Sequence, residues 1–109
     1  MKVSILGTEY EIKRTSEEEY PKLKKLEANG LAELYSKQLI INDDVDDGSE
    51  SCFEKIELFK NKVTRHEIIH AFLYESGAIN YCNDEKLVDL LAVQIPKMIK
   101  VFKETECIE

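Results

Sequence analysis

The sequence predicts an α+β domain in which a small N-terminal sheet, antiparallel or mixed, packs on one long helix and a C-terminal helix. Two patterns carry that reading. Val3, Ile5, Tyr10 and Ile12 alternate with polar residues, and Gln38-Leu39-Ile40-Ile41-Asn42 is a short β-branched run, both marks of strands. From Ile56 onward the apolar residues recur every three or four positions instead, the period of a helix face. A chain of 109 residues fits one domain, residues 1–109, with a modest core.

Taken in order, Lys2 to Leu6 and Glu9 to Lys13 form a hairpin around Gly7-Thr8. Ser16 and Glu19 then make a capping box ahead of Leu23 and Leu26, with Gly30 as the stop. Pro21 favours a first helical position, so that helix starts at Glu17 or at Pro21 itself. Gln38 to Asn42 is the third strand. Asp43 to Ser49 follows as an acidic, solvated turn. It imitates a calcium loop, with Asp43, Asp47, Gly48 and Glu54 at loop positions 1, 5, 6 and 12. Val45 at position 3 and a preceding strand argue against calcium.

Ser51 and Glu54 form a second capping box. The helix it opens carries the stripe Ile56, Phe59, Val63, His66, His70 and Leu73, and Ser76-Gly77 ends it. Asn83 caps a last helix with the stripe Val88, Leu91, Ile95, Met98 and Phe102. Pro96 should kink that helix, because it offers no N–H to the Ala92 carbonyl and crowds it.

Composition narrows the function. The net charge is −7 and no Lys/Arg-rich run exists, which argues against nucleic acid as a partner. No apolar run of about 18 residues exists, and the run after Met1 is too short for a signal peptide, so no membrane partner is expected. Cys52, Cys82 and Cys107 are odd in number and form no C-x-x-C pair. They read as free thiols in a reducing compartment, the cytoplasm.

The chemistry concentrates in Val63-Thr64-Arg65-His66-Glu67-Ile68-Ile69-His70-Ala71-Phe72-Leu73, which contains H-E-x-x-H and both histidines of the chain. Residues i and i+4 share a helix face, so His66 and His70 can converge on one zinc ion. Glu67 lies about 100° round the helix, beside the metal, where it can take a proton from water. Chance produces this arrangement at roughly a quarter of one per cent, so two partly buried polar histidines are the weaker explanation.

A catalytic zinc takes three protein ligands. No third histidine exists, and the extended pattern H-E-x-x-H-x-x-G-x-x-H fails at Leu73 and Ser76. The remaining candidates are Glu75, Cys82, Asp84, Glu85 and Asp89. Glu75 falls about 140° off the ligand face. Glu85, in the first turn of the last helix, is the preferred ligand, with Asp89 one turn on to accept an N–H from a ligand histidine. The plainer account of both acids is attraction to the positive end of a helix.

The hairpin, the strand ending Leu39-Ile40-Ile41-Asn42, the segment Arg65 to Gly77 and the segment Glu85 to Ala92 together resemble small phage- and prophage-encoded zinc metallopeptidases. These are similar to the minimal catalytic domain of the ImmA/IrrE group of gluzincins. The resemblance covers most of Lys2 to Phe102, and its specific parts are H-E-x-x-H and the later E-x-x-V-x-x-L-A. It implies a zincin-like fold and a zinc-dependent endopeptidase with His66, His70 and Glu85 as ligands and Glu67 as general base. The substrate, a protein or peptide, would lie extended along an edge strand near Leu39 to Asn42. Tyr81 is the first choice of oxyanion partner, ahead of Tyr35 and Arg65. Larger members cleave repressors with the aid of further domains, so a repressor substrate is not expected of these 109 residues. The alternative is a zinc-stabilised protein-interaction module without useful turnover.

Overall fold

A computed structural model describes residues 1–45 and 53–108, with side chains from residue 55 in the second stretch. Strands β1 (Lys2–Ile5) and β2 (Thr8–Thr15) form the expected hairpin, from Lys2 opposite Glu11 to Ile5 opposite Thr8. The turn is Leu6-Gly7, one residue earlier than expected. Both residues have positive φ, 49° and 87°, the values a two-residue hairpin turn needs to match the strand twist. Gly7 bears this freely at the second turn position, and Leu6 carries the strain.

The helix expected from Glu17 or Pro21 to Gly30 shrinks to α1 (Lys22–Lys25). Ser16 does accept the Glu19 N–H at 3.1 Å, as its capping box requires. The turn stops there because Pro21 has no N–H to donate and disfavours helical geometry at Tyr20. Gly30, expected as a stop, instead opens β3 (Gly30–Glu33), a strand with no periodic signature. β4 (Gln38–Asn42) follows.

The sheet order is β1-β2-β4-β3, with β2 and β4 parallel and the other neighbours antiparallel. Leu39, Ile40 and Ile41 are all buried, and successive residues face opposite sides, so both faces of β4 are covered. The segment expected to be the substrate's edge is therefore interior. The edges are β1 and β3, and β3 is the one beside the cleft described below.

Helix α2 (Phe53–Glu75) packs Ile68 and Ala71 onto Ile5, Tyr10 and Leu39. Its most buried line runs Lys60, Val63, Glu67, His70 and Ala71, so Glu67 faces inward more than His66 does. Gly77, at φ 83°, closes the helix: Ala78 N–H reaches the Leu73 carbonyl and Gly77 N–H the Tyr74 carbonyl. Glu75 is held to the hairpin by Thr8 and Tyr10 at 2.7 and 2.6 Å, and to Lys37 at 3.0 Å.

The Ser51 cap, Cys52, and Asp47, Gly48 and Glu54 of the calcium-like pattern lie outside the described residues or side chains. Asp43 is engaged elsewhere, accepting from Arg14 at 2.7 Å and from Lys60 at 3.1 Å. A short helix, α3 (Ile79–Cys82), leads to α4 (Glu85–Glu104). Its cap is Asp84, one residue after the expected Asn83, and Asp84 accepts from the Leu87 N–H at 3.1 Å. The helix runs on through Pro96, with Val88 and Ala92 buried and every residue from 96 to 104 exposed. Among the described residues no helix is long and apolar enough to cross a membrane. Cys82 and Cys107 are free, as read from their spacing.

Candidate metal centre

Two helices build the site. His66 and His70 stand one turn apart on α2, and Glu85 enters from the first turn of α4. His66 Nε2 lies 3.2 Å from His70 Nε2. The Glu85 carboxylate spans the pair, with Oε2 2.9 Å from His66 Nε2 and Oε1 3.0 Å from His70 Nε2. Ligands about 2.0–2.1 Å from a tetrahedral zinc stand about 3.3 Å apart, close to all three spacings. Among the described residues His66, His70 and Glu85 form a group that could hold a metal ion. Two imidazoles and one carboxylate are a donor set that suits zinc.

The surroundings orient this set. His70 Nδ1 lies 2.7 Å from the Cys82 carbonyl, which can only accept, so Nδ1 carries the proton and Nε2 presents its lone pair to the cluster. The Cys82 thiol returns a bond to the His70 carbonyl at 3.3 Å. Burial, then the charge of Glu85, pushes that thiol pKa up, away from the thiolate a metal needs. Asp89 lies 3.5 Å from His66 Nδ1, on the side its helical spacing predicts, and is tied to Lys62 at 2.9 Å. Lys62 chiefly, with help from His66, holds the Asp89 carboxyl below its usual range.

Glu67 is buried beside the cluster at 5% exposure. Burial, and secondarily the charge of Glu85, pushes its pKa up to about 8. A Cβ on Gly30 would stand 2.8 Å from Glu67 Oε2 and 2.9 Å from Val63 Cγ1. The edge strand therefore presses its bare backbone against the acid.

A cleft of about 510 Å³ runs between β3 and the two helices, walled by Gly30, Leu31, Ala32, Lys62, Glu67 and the three clustered side chains among others. Tyr81 and Tyr35, 59% and 97% exposed, are not part of its wall. Arg65 is engaged with the Ala92 carbonyl at 2.8 Å. None of these three oxyanion candidates is brought to the cluster. Of the other ligand candidates, Glu75 holds the hairpin and Asp84 caps α4. Lys62 went unread in the sequence, although it precedes His66 by four residues and so shares its helix face. Gly30 gave no such signal, because its role comes from long-range packing. Comparison with protein-family models, curated proteins and solved structures finds no match.

Proposed function

We propose that this chain is a zinc-dependent endopeptidase of the gluzincin type, similar to the small ImmA/IrrE-like metallopeptidases of phages and prophages and acting on a protein or peptide in the cytoplasm. One observation carries the reading: two imidazole nitrogens and a carboxylate from separate helices meet within 4.8 Å of one another, and a buried glutamate stands next to them. The sheet lying over an H-E-x-x-H helix supports a zincin-like fold.

His66, His70 and Glu85 would hold the ion. Zinc, when bound, acidifies a water toward pKa ~7 and polarises a carbonyl. Glu67 takes the proton of the attacking water and hands it to the leaving amine. His70 keeps its productive tautomer through Cys82, and Asp89 steadies His66 from the far side. The substrate lies extended along β3, whose outer backbone groups have no sheet partner, and not along β4.

The test is cleavage of unfolded casein by the zinc-loaded protein with and without chelator. Chelator-sensitive cleavage that disappears in Glu67→Gln supports the reading. A Glu67→Gln protein as active as wild type overturns the role of the base. Stoichiometric capture of a protein without cleavage points to the interaction module instead.

A further inference from the structure

Glu85 is 70% exposed, so little packing of its own fixes it; its place depends on where α4 lies. That helix is attached to the domain along its first half only. Val88 and Ala92 are fully buried, whereas every residue from 96 to 104 is exposed. Ala92 is thus the last deeply buried residue of α4, two turns beyond Glu85.

At that point the helix has an unused acceptor. In an α-helix the carbonyl of residue 92 bonds the N–H of residue 96, but Pro96 has none. The Ala92 carbonyl accepts instead from Arg65 Nε, at 2.8 Å. Arg65 directly precedes His66 on α2. The bond therefore joins the backbone of the helix bearing Glu85 to the helix bearing both histidines.

We propose that Arg65 is a positioning residue for the metal centre: through the carbonyl that Pro96 frees, it sets α4 against α2 and so brings Glu85 within reach of His66 and His70. This rests on those three residues binding zinc. It makes Pro96 part of the device, since without the proline the Ala92 carbonyl would already have its helical donor.

The experiment compares wild type, Arg65→Met, Pro96→Ala, Arg65→Met/Pro96→Ala and Glu85→Ala. Zinc affinity is measured by competition with a chromophoric chelator, and the visible spectrum of the cobalt-substituted protein reports ligand geometry. Arg65→Met should weaken zinc about tenfold or more, the scale seen for groups that orient ligands, and should shift the cobalt spectrum toward that of Glu85→Ala. Pro96→Ala alone should also weaken zinc, because residue 96 then occupies the Ala92 carbonyl. In that background Arg65→Met should cost little more, because no clasp is left to lose. Equal losses in the two backgrounds, or no loss while Glu85→Ala weakens zinc, would overturn the inference and leave the metal centre standing. Wild type and Glu85→Ala alike failing to bind zinc would remove both. Should Arg65→Met fail to fold, recovery of folded protein on adding Pro96→Ala supports the clasp, and no recovery counts against it.

Discussion

Glu67 and Gln differ by a charge and hardly at all in shape, which makes this position the sharpest test of the proposed chemistry. Glu67→Gln should keep zinc at wild-type stoichiometry, read by elemental analysis, and lose about a hundredfold or more in turnover, the usual scale for a general base. Glu85→Ala should behave oppositely. It removes the only carboxylate of the cluster and should weaken zinc by more than the about 10–100-fold that an outer partner costs. Equal zinc affinity in Glu85→Ala and wild type would show that two imidazoles hold the ion without it. The placement of His66 and His70 on one face, with Glu67 beside them, was legible from spacing alone, because four residues make about one helical turn. Glu85 needed a choice among five acids and thiols, since the sequence says nothing of which helix lies beside which.

At the scale of elements, β3 and the hairpin carry separate predictions. Gly30→Ala forces Glu67 and Val63 to shift, because the new methyl would sit 2.8 Å from the Glu67 carboxylate. Turnover should fall while zinc affinity stays near wild type, measured on the same preparation; unchanged turnover would mean the strand does not steer the acid. The end of α2 is tied to the hairpin and Lys37 through Glu75. Bonds from Tyr10 first, then Thr8 and Lys37, lower its pKa from 4.5 to about 2. A depressed carboxylate pKa stabilises the fold above the unfolded value and loses that contribution as pH falls through the folded one. The contribution of Glu75 should therefore be intact above about pH 4.5 and vanish toward pH 2, and Glu75→Gln should flatten acid unfolding in that window. The hairpin and both long helices were legible because their periods are local. β3 was not: Gly-Leu-Ala-Glu shows no alternation and becomes a strand only by pairing with β4.

For the whole molecule, a bound ion should act as a staple between α2 and α4. A ligand at about 100 times its Kd adds about 2.7 kcal/mol to the folded state. In a domain of this size that raises Tm by about 10 °C or more. Calorimetry with zinc and with chelator should show the shift, and Glu85→Ala should abolish most of it; coincident transitions in wild type would contradict a structural ion.

The sequence by itself determined the α+β class, the helix with two histidines on one face, the acid beside them, the stop at Gly77 and the missing helical N–H at Pro96. All of these follow from steric and hydrogen-bonding rules acting over a few residues. Only the tertiary structure decided that β3 is an edge strand, that Gly30 presses on Glu67, that Glu85 bridges the imidazoles, and that Arg65 fills the bond Pro96 leaves open. Those facts depend on which distant segments pack together, and that is set by burial and pairing across the whole chain.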